Sequence, residues 1–226
     1  MKRGLTELVF ILDRSGSMSG LESDTIGGYN AMLAKQKNEP GEAVVTTVLF
    51  DDRYELLHNR LNLRGVKPLT EKDYYVRGCT ALLDAVGKTI NTIINVQKHT
   101  AAGERAEHVM FVITTDGMEN ASREFTYEQV RRLIEQQKNK YGWEFIFLGA
   151  NIDAIAVADR FGISEDRAAN FHADSNGTLL NFAVISEAVS ELRAGRPIAR
   201  EWKRRIDEDF KQRPAGDHAA QGRKKS

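Results

Sequence analysis

A chain of 226 residues, 41% of them hydrophobic, is long enough to bury a full core in one α/β domain without disulfide help. Its 32 basic and 32 acidic side chains balance, which excludes a long-range field drawing in nucleic acid or an anionic membrane. The single cysteine, Cys79, cannot close an intrachain disulfide, no apolar run reaches membrane-spanning length, and residues 1–6 carry no signal-peptide core, so the expected location is the cytoplasm.

The first element is the apolar run Leu8-Val9-Phe10-Ile11-Leu12, which predicts a buried strand. It ends in Asp13-Arg14-Ser15-Gly16-Ser17, a carboxylate and two hydroxyls delivered to the carboxyl edge of a sheet. Oxygen-only ligands of mixed type suit a hard divalent cation. Ile26, Tyr29 and Leu33 then share one helical face, Asp24 lies on that helix's surface or faces the rim, and Gly41 fits the following turn. A second buried strand is predicted over residues 43–50. Asp51-Asp52 fit a hairpin turn, and the half-apolar residues 53–57 an antiparallel partner strand.

Gly78-Cys79-Thr80 precede a helix that keeps Leu83, Val86, Ile90 and Ile94 on one side. No histidine stands at a spacing that would activate Cys79, which reads as a packed or inert thiol. Residues 109–114 predict a third buried strand running into Thr115-Asp116-Gly117, with Glu119-Asn120 beyond it in a solvated loop. Thr126 suits the N-cap of a helix burying Val130, Leu133 and Ile134. A fourth buried strand covers 143–148; Gly149-Ala150-Asn151 after it lacks the spacing of a dinucleotide-binding loop. Helices are expected over 151–161 and 175–194, with a short extended piece over 168–172 between them.

Alternating strands and helices predict an α/β, Rossmann-like, doubly wound fold: a mostly parallel central sheet, one antiparallel edge strand, and helices on both faces. The domain is expected to span residues 5–192. Ile198, Trp202, Ile206 and Phe210 recur every fourth residue and predict an amphipathic helix over 193–211. Residues 212–226, with Arg213, Arg223, Lys224 and Lys225, read as a disordered basic tail.

Three loops should therefore meet at one sheet edge, offering Asp13, Ser15 and Ser17, then Thr80, then Asp116. This order of residues resembles the von Willebrand factor type A domain of bacterial intracellular type. Its metal-ion-dependent adhesion site (MIDAS) has the pattern Asp-x-Ser-x-Ser, a threonine, and an aspartate usually followed by glycine. All five positions match. The resemblance implies that Asp13 and Asp116 act through bound waters while Ser15, Ser17 and Thr80 ligate directly. The inner shell would then carry no protein charge, and an acidic residue of a partner protein would complete it. Mg²⁺ or Mn²⁺ fits this set better than Ca²⁺, which favours more ligands and more direct carboxylates. The resemblance thus implies a non-enzymatic, cation-dependent adaptor that captures Asp or Glu of a protein partner, not nucleic acid or membrane. Intracellular relatives in bacteria often serve machines driven by AAA+ ATPases, and some belong to tellurium-resistance or stress systems.

Two other readings use the same residues. A Mg²⁺-dependent hydrolase or phosphotransferase would use Asp13 as nucleophile. Haloacid-dehalogenase-type enzymes usually place a second carboxylate two residues on, where this chain has Ser15. A purely structural metal would have its remaining coordination position buried by the protein itself.

Overall fold

The computed structural model describes residues 1–213. Six strands and six α-helices follow one another as β1 (Lys2–Asp13), α1 (Glu22–Lys37), β2 (Glu42–Phe50), β3 (Tyr54–Asn62), α2 (Leu82–His99), β4 (Ala106–Thr115), α3 (Tyr127–Tyr141), β5 (Glu144–Gly149), α4 (Ala154–Arg160), β6 (Ala168–Asn170), α5 (Ser175–Arg193) and α6 (Arg204–Gln212). The strand order is β3-β2-β1-β4-β5-β6. All pairs are parallel except β2 with β3, the antiparallel strand at one edge. This is the doubly wound α/β architecture that the alternation of elements predicts. Among the described residues no helix is long and apolar enough to cross a membrane.

Successive side chains of a strand point to opposite faces, so an apolar run feeds two cores. In β1, Leu8, Phe10 and Leu12 enter the core beneath α1 and α5. Val9 and Ile11 enter the other, beneath α2, α3 and α4. The strand begins earlier than its apolar run suggests: Glu7 is wholly buried, and the guanidinium of Arg60 donates to it at 2.8 Å.

Helices α1 and α5 pack closely at Gly28, where an added Cβ would lie 2.4 Å from Cδ2 of Phe182 and 3.2 Å from its Cβ. The near end of a core side chain cannot swing away, so overpacking should outweigh the helix-propensity gain of alanine. Gly28→Ala is expected to cost about 1–2 kcal/mol in urea unfolding with the fold retained; an unchanged midpoint would show that these helices separate freely.

Helix α3 starts in a capping box, Thr126 accepting from the backbone N–H of Gln129 and Gln129 returning the bond. The carboxyl-terminal region departs from expectation. In place of one helix over 193–211, α5 ends at Arg193, a loop follows, and a 3₁₀ turn (Arg200–Lys203) leads into the short α6. Gly195 takes the left-handed conformation (φ 71°), which ends α5, and Pro197 has no N–H to extend a helix across the gap. The apolar stripe still docks on the body: Ile198 and Ile206 are buried, and the Trp202 indole donates to the carbonyl of Asp166 at 2.8 Å. Of the expected disordered tail, Gln212 closes α6, and Arg213 forms ion pairs with Asp174 and Asp209 at 2.5 Å each. Residues 214–226 lie outside the described residues.

Candidate metal centre

Strand β1 has β2 on one side and β4 on the other, so the chain leaves it first in one direction and later in the other. Loops diverge at such a point and leave a crevice at the carboxyl ends of the strands. Asp13 is the last residue of β1, and Asp116 follows the last residue of β4.

The five expected side chains converge there. Ser17 Oγ donates to Asp116 Oδ1 at 2.5 Å, Ser15 Oγ and Ser17 Oγ are 3.1 Å apart, and Thr80 Oγ1 donates to Ser15 Oγ at 3.0 Å. Asp13 sits behind them, its Oδ1 accepting from the Ser15 N–H at 2.7 Å and its Oδ2 from the Thr115 hydroxyl at 2.5 Å. Asp13, Ser15, Thr80 and Asp116 are buried, whereas Ser17 and the neighbouring Met118 are exposed, so the cluster opens to solvent on one side. That open side is contrary to what a purely structural metal requires.

The loops are held by contacts that sequence spacing does not reveal. The N–H of Gly16 donates to the carbonyl of Gly78, tying the first loop to the second. Gly78 is left-handed (φ 68°), and a Cβ there would lie 2.3 Å from Asp52 Oδ1. Asn120 exchanges two bonds with Thr80, its Oδ1 accepting from the Thr80 N–H and its own N–H donating to the Thr80 carbonyl. Glu119 accepts from the N–H of Leu83 at the start of α2. The 119–120 segment, expected as a solvated loop, therefore links the third loop to the second. The Tyr74 hydroxyl donates to the Asp13 carbonyl at 2.5 Å.

Asp51 is more than a hairpin residue. It does accept from the Arg53 N–H, but it is wholly buried, forming ion pairs with Arg14 at 3.0 Å and Arg77 at 2.6 Å. Cys79, expected as a packed or inert thiol, is exposed and so is not packed.

The electrostatics of the cluster are unbalanced. Burial pushes the Asp13 carboxyl up to about 6, against the lowering effect of the Thr115 and Ser15 hydrogen bonds and with a further rise from Asp116. Burial also raises Asp116. Arg14 is adjacent in sequence but turns its guanidinium to Asp51, Glu55 and the Asp73 carbonyl. Among the described residues, neither Asp13 nor Asp116 forms an ion pair, and Asp116 Oδ2 is buried without a partner. Two buried carboxylates without a countercharge cost folding free energy that a bound cation would recover.

The residues fit a hard divalent cation. The donors are hydroxyl and carboxylate oxygens, without sulfur or imidazole. The backbone at Gly117 leaves room, since a Cβ there would crowd Ser17 Oγ at 3.0 Å and Thr80 Oγ1 at 3.2 Å. Among the described residues no group of three or more His, Cys, Asp or Glu side chains offers a carboxylate-rich or thiolate alternative.

Comparison with solved structures establishes the fold. A von Willebrand factor type A structure from Catenulispora acidiphila aligns with TM-score 0.58 and 13% identity, over 82% of this chain and 42% of that one. The manganese-loaded TRAP protein of Plasmodium vivax gives TM-score 0.57 and 16% identity, over 80% and 72%. Proximal thread matrix protein 1 from the mussel byssus, with a zinc-occupied MIDAS motif, gives 0.52 and 16%, over 83% and 45%. This chain thus spans less than half of the first and third. No protein-family model matches it, and no curated protein matches it. The fold is that of a von Willebrand factor type A domain.

Proposed function

We propose that this chain is a divalent-cation-dependent protein-binding module, cytoplasmic and without catalytic activity, that captures an acidic side chain of a partner protein. The observation that carries this reading is the convergence of three hydroxyls and two uncompensated buried carboxylates at a rim open beside Ser17. Ser15, Ser17 and Thr80 would hold Mg²⁺ or Mn²⁺ directly, with Asp13 and Asp116 behind them acting through water. Manganese in the Plasmodium vivax relative and zinc in the mussel one support a divalent ion in this position. When bound, the cation supplies an electrophilic position for a carboxylate. Thr115 and the Ser15 N–H fix the Asp13 carboxylate, and Asn120 fixes the Thr80 backbone, so the donors are in place before any ligand arrives. A balanced net charge favours a protein ligand over nucleic acid.

The geometry argues against Asp13 as a nucleophile. The side chain is 1% exposed, and each oxygen already accepts a hydrogen bond, leaving no clear line of approach for an electrophilic phosphorus or carbon.

Affinity capture on the immobilised chain, in Mg²⁺ and in EDTA, tests the reading. A partner should be retained with Mg²⁺, released by EDTA and retained again with Mn²⁺. Identical eluates with and without chelator would refute it, as would turnover of p-nitrophenyl phosphate that disappears in Asp13→Asn.

A further inference from the structure

We infer that the groove beside Ser17 receives a partner segment carrying a lysine or arginine near the acid that meets the cation. This inference rests on the metal-bridged reading above and adds the chemistry of the rest of the ligand. The groove has a volume of about 870 Å³ and runs from Ser17 along the carboxyl edge of the sheet, past the ends of β5 and β6. Leu21 and Phe171 give it apolar walls, and Asp24 and Asp153 stand along it.

Those two carboxylates are held in place but not neutralised. Asp24 accepts from the Ser175 hydroxyl at 2.9 Å, and Asp153 accepts from the Ala156 N–H at the start of α4. Among the described residues neither forms an ion pair, and no lysine or arginine lines the groove. Asp174, which also lines it, differs in being paired with Arg213. A second observation is independent of charge. His172 lines the groove, is only 9% exposed, and keeps its Nε2 without a hydrogen-bond partner while its ring stacks on Phe210 at 4.8 Å. A buried polar nitrogen without a partner costs free energy, and a segment lying in the groove would bring peptide groups to pair with it.

The charges set the order of the ligand. One end of the groove would hold a cation that takes a carboxylate, and the remainder carries two free carboxylates. A ligand with further acids would be repelled by Asp24 and Asp153, and one with a cationic side chain beyond its acid would be attracted. Its apolar residues would lie against Leu21 and Phe171.

The probes are short fluorescein-labelled Gly/Ser peptides with one aspartate, one leucine and one lysine at varied separations, each matched by a peptide with glutamate for lysine. Fluorescence polarisation is read on the full chain in Mg²⁺ and in EDTA, with Mn²⁺ binding by the same protein measured in parallel. At least one lysine peptide should bind about tenfold more tightly than its glutamate match in Mg²⁺, and neither should bind in EDTA. In the Asp24→Asn/Asp153→Asn variant, which keeps both acceptors, the discrimination should fall to about threefold or less while Mn²⁺ binding is unchanged. Mn²⁺ binding without any lysine preference, or without peptide binding, overturns the groove assignment and leaves the metal site standing. Absence of Mn²⁺ binding overturns the metal reading itself. If peptides enter only after residues 214–226 are removed, the occupant is the chain's own basic end, and the inference fails.

Discussion

Replacing Asp13 with asparagine is expected to abolish Mg²⁺-dependent capture and, at neutral pH, to make the metal-free protein more stable. Most substitutions of a buried, hydrogen-bonded residue destabilise. Here the sign reverses because the carboxylate is buried beside Asp116 with no countercharge. The folded-state value is raised from 3.8 to about 6, so between about pH 4 and 6 the folded chain holds a proton that the unfolded chain has released. The stability this group contributes is complete below the unfolded value and is lost as pH rises through about 6. Asp116, raised by burial as well, acts in the same direction. Asparagine cannot ionise and keeps an acceptor for the Ser15 N–H. The Thr115 hydroxyl can turn to the Gly117 carbonyl, already 3.2 Å away, and accept from the new amide. Urea unfolding in EDTA should show wild type losing about 1–3 kcal/mol between pH 4.5 and 7.5 relative to the variant. In Mg²⁺ the order should reverse, because only wild type gains the free energy of binding the ion. A variant less stable than wild type at pH 7.5 in EDTA would mean that the cluster is not under the strain inferred for it.

The readable parts of this molecule were those with local signatures. Residues 8–12, buried on both faces, form a continuous apolar run that announces a central strand, and the hydroxyl and acid positions stand in fixed order just past strand ends. Glu7 shows why the start of β1 was not legible: a charged residue breaks the apolar pattern, and its partner Arg60 lies 53 residues away. Distance in sequence also hid what fixes the site. Asp51 resembles an ordinary turn residue until Arg14 and Arg77 reach it, and Asn120 resembles a loop residue until its amide meets the backbone of Thr80. Thr115, whose hydroxyl orients the Asp13 carboxylate, and Tyr74, whose hydroxyl holds the Asp13 backbone carbonyl, gave no signal, since a single hydroxyl contact has no periodicity. The groove could not be foreseen, because its walls come from β1–α1, β5–α4 and β6–α5 connections that only the sheet order brings together. The carboxyl-terminal stripe was legible as a buried face but not as a 3₁₀ turn followed by a short helix, because its four-residue spacing, which begins only after Pro197, runs unbroken through both.

Asp51→Ala should produce the largest stability loss of any single change at the site, about 3–5 kcal/mol, and should weaken Mn²⁺ binding as well. Asp51 joins the two hydroxyl-bearing loops. Its Oδ2 accepts from Arg14 in the first loop and from Arg77 ahead of the second, and its backbone carbonyl accepts from the Ala81 N–H beside Thr80. Burial opposes its charge, but the bonds from Arg77 and the Arg53 N–H, with the Arg14 charge, hold its carboxyl below the ordinary value. Its contribution therefore persists at neutral pH and is lost as pH falls, the reverse of Asp13. Alanine would leave the wholly buried Arg14 guanidinium with Glu55 as its remaining anion, and Glu55 is partly solvated. An uncompensated buried charge is the costly half of a broken pair, so pairing the change with Arg14→Met should restore much of the stability. Mn²⁺ affinity should stay reduced in that double variant, since an apolar contact does not fix the direction of the first loop as the guanidinium does. Urea midpoints and Mn²⁺ titrations on the four proteins of the cycle separate these effects. A loss below about 1 kcal/mol for Asp51→Ala would mean that the backbone bonds Gly16 to Gly78 and Ala81 to Asp51 hold the loops unaided.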